Sequence, residues 1–113
     1  MTANIKRFDE ITKKLLVALY ESFPAAAFLG PNELGLTNEQ PAHDQLGRWS
    51  ASEEWNELDN EVKRAMLWLV EEGFVHDRQY KISASHVLTA QGFIALEQMD
   101  SAYKAPVLTK TSL

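Results

Sequence analysis

Between Ser50 and Gly73 the chain reads SASEEWNELDNEVKRAMLWLVEEG, and no other stretch restricts the fold as strongly. Trp55, Leu58, Val62, Ala65, Met66 and Leu69 recur at spacings of three and four, the period of an amphipathic helix with one buried stripe. Ser50 followed by Glu53 has the form of a capping box, with Ala51 and Ser52 opening the first turn. Gly73 stands where a left-handed glycine ends a helix. At about 1.5 Å per residue such a helix is about 33 Å long. That is the width of a small domain, so every other element must pack on it.

A length of 113 residues gives one domain with room for a real core. No window reaches the roughly 18 consecutive apolar residues that span a bilayer. The opening MTANIKRFDE mixes acids and bases and lacks the apolar centre of a signal peptide. A cytoplasmic protein with no membrane partner is therefore expected. The sequence contains no cysteine, which removes disulfides, a thiolate nucleophile and cysteine-ligated zinc.

The net charge of −5 is unevenly placed. Seven acids and two bases fall between Glu53 and Glu72, and the remaining nine acids balance nine bases. A helix that meets phosphate backbones normally carries lysine and arginine. This one is acidic.

Upstream, residues 4 to 23 read as a first helix capped by Asn4, with a stripe of Ile5, Phe8, Ile11, Leu15, Leu19 and Phe23. Lys6, Arg7, Lys13 and Lys14 form its outer basic cluster, whose plain reading is a solvated face. Pro24 stops it. Ala25 to Leu29 reads as a short extended segment before the Gly30-Pro31 turn. A short helix at Asn32 to Gly35 and a helical turn near His43 to Leu46 are expected in an otherwise irregular stretch to Trp49. After Gly73, aromatic and β-branched residues at both ends of 74–88 predict a hairpin. Thr89 then caps a last helix that runs through Phe93, Leu96 and Met99 to about Tyr103. Residues 1–104 are expected to form the domain, and 105–113 a flexible tail.

This order, with two local pieces, resembles a winged-helix domain. Met66-Leu67-Trp68-Leu69-Val70-Glu71-Glu72-Gly73-Phe74-Val75 resembles the end of a winged-helix third helix passing into the first wing strand. Leu88-Thr89-Ala90-Gln91-Gly92-Phe93-Ile94-Ala95-Leu96 resembles the passage from the second wing strand into the last helix in MarR-like and PadR-like bacterial regulators. The resemblance covers about residues 62–96. It implies an α+β winged-helix domain with a three-helix core, a small antiparallel hairpin wing and a C-terminal helix. In DNA-binding members the third helix reads the major groove through its N-terminal half. Here that half offers only Asn56 and Asn60 among Glu53, Glu54, Glu57, Asp59 and Glu61. Arg78 and Lys81, at the expected wing tip, resemble minor-groove contacts.

Leu67 and Trp68 fall off the buried stripe, and an exposed Leu-Trp pair marks a partner or dimer surface; the plain alternative is that neighbouring elements cover them. His76 and His86 facing each other across the hairpin would leave a metal short of a third ligand, because Asp77 points to the other face. His43 and Asp44 beside Ser50 or Ser52 invite a catalytic reading, but both serines are better explained as caps. With no phosphate loop, nucleophile elbow or HExxH motif, no enzyme activity, cofactor or metal is expected. The expected function is a bacterial- or phage-type regulatory domain. It would contact a protein partner or a second copy of itself through Leu67, Trp68, Glu57 and Glu61. The alternative is a dimeric DNA-binding regulator using Asn56, Asn60, Arg78 and Lys81.

Overall fold

A computed structural model of the chain describes residues 3–43, 46–47, 49–79 and 85–110. The long central helix, α2, runs Glu53–Glu71, preceded by α1 (Ala3–Ser22) and followed by α3 (Ala90–Met99). Two small antiparallel pairs complete an α+β fold: β1 (Ala42–His43) with β2 (Trp49–Ser50), and β3 (Val75–Asp77) with β4 (His86–Leu88). Ala27 forms an isolated bridge to His86 on the outer edge of β4. A single 3-10 turn, Val107–Lys110, follows α3.

The apolar periods explain the packing. Val62, Ala65, Met66 and Leu69 of α2 meet Ile11, Leu15, Leu16 and Leu19 of α1, with Phe93 and Leu96 of α3 closing the core over Val75 and Leu88. Leu15 and Leu96 are completely buried. Each such side chain contributes about 1.5–3 kcal/mol by leaving water.

The C-terminal end of α2 is a compact junction. Gly73 has φ +86°, and the Gly73 and Phe74 amides donate back to the Val70 and Leu69 carbonyls at 3.1 and 2.9 Å. This is the Schellman pattern that satisfies the last carbonyls of a helix. The Thr89 hydroxyl accepts from the Gly92 amide at 3.0 Å and donates to the Gly73 carbonyl at 2.6 Å. One side chain thus caps α3 and ties it to the end of α2. Gly92 is required by proximity: a Cβ there would lie 2.0 Å from the Phe74 carbonyl oxygen.

Several boundaries differ from those read in the sequence. Ser52, not Ser50, caps α2, its hydroxyl accepting from the Trp55 amide at 3.1 Å. Ser50 lies in β2 opposite Ala42. The acid of a capping box normally comes from the third helical residue, here Trp55. Instead Glu39, thirteen positions upstream, accepts from the Ser52 amide at 2.8 Å and from the Ser52 hydroxyl. Asn4 sits inside α1 rather than at its cap. The expected helix at Asn32 to Gly35 is a single turn, in which the Leu34 and Leu36 amides donate back to the Gly30 and Pro31 carbonyls and Gly35, at φ +72°, closes it. Among the described residues there is no α-helix between α1 and α2. α3 ends at Met99, where Asp100 turns extended. Beyond it Tyr103 packs edge-on against Tyr20, the Tyr20 hydroxyl donates to the Lys104 carbonyl at 2.8 Å, and Ala105 is buried.

Candidate functional site

A helix of 19 residues has more circumference than its core stripe uses, and the rest of α2 lines two separate grooves. Leu67 and Trp68, adjacent in sequence, stand about 100° apart around the axis, and neighbouring elements place them in different grooves.

On the Trp68 side a hollow of about 410 Å³ lies between α1, α2 and α3, bounded by Phe8, Leu16, Phe74 and Met99. Trp68 stacks on Phe74 at 5.8 Å and receives Phe8 edge-on at 5.2 Å. It remains 43% exposed. The tryptophan is partly covered by its neighbours and partly open. Both readings of the sequence describe a portion of the ring.

On the Leu67 side the groove is longer. A hollow of about 290 Å³ has walls of Phe28, Leu29, Met66, Leu67 and Val70, with Asp59, Lys63, Asp77 and His86 at its margin. Sharing Phe28, Asp59 and Lys63, it continues towards the N-terminus of α2 into a second hollow of about 480 Å³, lined also by Trp49, Trp55, Asn56 and Asn60. A third, of about 260 Å³, extends it past Glu33, Gln40 and Pro41. Phe28, Trp49 and Leu67 are each more than half exposed.

Polar bonds shape the N-terminal part of this groove. The Trp55 indole N–H donates to Asn32 Oδ1 at 2.9 Å, and Asn32 Nδ2 donates to the Glu39 carbonyl at 2.6 Å. With the Glu39–Ser52 bonds this closes a circuit from the 30–41 segment to the first turn of α2. Trp49 packs edge-on to Trp55 at 5.5 Å. The Ser52 hydroxyl and amide hold the Glu39 carboxyl below its ordinary value, because both bonds favour the ionised form.

The acidic face is partly answered within the chain. Arg7 Nε donates to Glu61 at 3.1 Å, and Lys63 Nζ lies 2.8 Å from Asp59. Glu57 is exposed on the outer surface. Asn56 and Asn60 line the aromatic hollow rather than standing apart from it. Arg78 is exposed where β3 ends, its amide donating to the Ser85 carbonyl at 2.9 Å. Lys81 lies outside the described residues.

The hairpin register corrects the histidine pairing. His86 sits opposite Asp77 and His76 opposite Val87, so the two imidazoles are not cross-strand partners. His86 Nε2 is 3.8 Å from an Asp77 oxygen. The Gln79 amide, donating to Asp77 at 2.8 Å, is the main cause that lowers the Asp77 pKa, followed by the Ser85 hydroxyl; the two histidines add smaller contributions. Among the described residues no three histidine or carboxylate side chains gather as a metal site, and no helix is long and apolar enough to cross a membrane. Of the catalytic constellation considered from sequence, Asp44 lies outside the described residues and Ser52 is engaged as a cap.

Sequence reasoning missed Phe28, Trp49 and Trp55 as one cluster. Their separation in the chain leaves no local signal, although two tryptophans flanking a helix N-cap, Trp49 and Trp55 around Ser52, were a usable hint. No protein-family model, curated protein or solved structure matches the chain.

Proposed function

We propose that the chain is a small regulatory domain of winged-helix type that works through protein–protein contact, and that the groove on the Leu67 side of α2 is the contact face. The order of helix, extended bridge at Ala27, central helix, hairpin and capped helix supports the winged-helix reading. A turn and the β1–β2 pair stand where the second helix of that fold is expected. The observation that carries the functional reading is the groove itself. Large apolar side chains stay exposed along one side of a helix whose surface is acidic, and such patches mark protein contacts. Glu57 is exposed on the outer turns beyond this groove, and Glu61 is bonded to Arg7 of α1 on the Trp68 side.

The alternative is DNA recognition through Asn56, Asn60, Arg78 and Lys81. It is opposed by the charge of α2, since phosphate contact depends on cations. Anisotropy of a labelled random-sequence duplex, followed from about 20 to 200 mM salt, separates the two readings. The protein-contact reading predicts no binding even at the lowest salt; binding that weakens steeply with salt overturns it. Light scattering of the same samples reads whether the partner is a second copy.

A further inference from the structure

Resting on the protein-contact reading, we infer that the hollow between Phe28, Trp49, Trp55 and Asp59 receives a cationic side chain, arginine or lysine, of a partner segment. The adjoining hollow at Leu67 takes an apolar neighbour from that segment.

Three aromatic rings and a carboxylate border the same space: Phe28, Trp49, Trp55 and Asp59 line both of the N-terminal hollows. Aromatic faces carry negative potential and attract ammonium and guanidinium groups held within about 6 Å. The rings are also preorganised. Trp55 is fixed through its indole N–H by Asn32, and Trp49 leans on Trp55. In this closed arrangement the rings are already held together, so a guest that enters has fewer of them to order.

The site already handles a cation of this kind. Lys63 Nζ lies 2.8 Å from Asp59 Oδ2, on a side chain 72% exposed, while the Asp59 side chain is only 19% exposed. A pair with so exposed a partner is held weakly. Lys63 therefore occupies the carboxylate in the absence of a guest and yields to one that also covers the aromatic faces. Glu33, on the far wall, adds a second negative charge. Next along α2 the hollow at Phe28, Leu29, Met66, Leu67 and Val70 is apolar and of a size for a leucine-like side chain. The surroundings carry the same sign of charge: the chain has a net −5, and Glu53, Glu54 and Glu57 are exposed on α2 beyond the groove.

The indole N–H signals of Trp49, Trp55 and Trp68 in a ¹H–¹⁵N spectrum of the full chain give three reporters, the last on the opposite groove. The probes are the acetylated, amidated peptide Gly-Leu-Arg-Gly-Leu-Gly and the same peptide with citrulline, the neutral isostere, replacing arginine. The inference predicts saturable shifts of Trp49 and Trp55 with Trp68 unmoved, and binding of the citrulline peptide weaker by roughly fivefold or more. Asp59→Asn lowers affinity for the arginine peptide by a similar factor. Lys63→Met, which removes the resident competitor, raises it. That gain is a readout a merely structural role of Asp59 would not produce. Equal binding of the two peptides, no shift, or shifts shared by all three indoles overturns the inference. Spermidine binding as tightly as the peptide assigns the hollow to free amines and overturns the commitment to a protein segment. Each of these failures leaves the protein-contact reading in place; salt-steep duplex binding is the result that removes that reading.

Discussion

The two ends of α2 are held by different means. At the C-terminal end the chain closes through backbone geometry and apolar contact: Gly73 turns, Phe74 bonds back to Leu69, and Gly92 lets α3 approach the Phe74 carbonyl. At the N-terminal end the helix is held by side-chain hydrogen bonds, from Glu39 to Ser52 and from Asn32 to Trp55. Close packing gives a junction with one arrangement. Polar bonds at a half-exposed site each contribute only about 0.5–1.5 kcal/mol net, and they exchange readily with water or a ligand. The end that is less firmly held is the end that carries the aromatic hollow.

The sharpest way to break this contrast is Gly92→Ala. The added methyl meets a backbone oxygen at 2.0 Å, so α3 must shift away from the end of α2. Urea unfolding should show a loss of about 3 kcal/mol or more. A loss below about 1 kcal/mol would mean the junction is as adaptable as the other end. Ser52→Ala should cost less, about 1 kcal/mol, as expected for an N-cap. It should also change the fluorescence of Trp55, whose amide the Ser52 hydroxyl accepts.

The smallest effect is one of pH. Glu39 has a folded-state pKa below its ordinary 4.5, so the unfolded chain binds the proton first as pH falls. The stability it contributes is fully present above that value and is lost as pH drops through it towards the folded-state pKa. Asp77, depressed below its ordinary 3.8, adds a second decline at lower pH with the same sign. Thermal unfolding from about pH 6 to pH 3 should therefore show a falling midpoint, flattened in its upper part by Glu39→Gln. An identical profile for this variant would remove Glu39 from the account.

The same contrast explains what was legible in the sequence. The C-terminal signals are local: Gly73 follows its helix directly, and Thr89 caps α3 three residues before Gly92. Periodicity placed Val62, Ala65, Met66 and Leu69 in the core stripe of α2, though not Trp55 and Leu58 of the same expected stripe. The aromatic and β-branched residues at both ends of 74–88 marked β3 and β4. The N-terminal circuit joins Asn32 to Trp55 and Glu39 to Ser52 across 23 and 13 positions, and no spacing rule reaches that far. The capping box suggested by Ser50 and Glu53 does not form, because Ser52 is the cap and the acid that completes it, Glu39, arrives from a distant loop. The helix pattern does set Leu67 and Trp68 off the buried stripe, and both are exposed. That they serve different grooves depends on Phe28 and Phe8, which the helix pattern alone does not position.

Native-state hydrogen exchange of the full chain tests the central contrast most directly. The amides of Met66, Leu69 and Phe74 at the packed end and of Glu39, Ser52 and Trp55 at the polar end are all hydrogen-bonded, so their difference reports local opening. The account predicts that the first group exchanges only through near-global unfolding and the second at least about a hundredfold faster through local opening. Equal protection at both ends would contradict it.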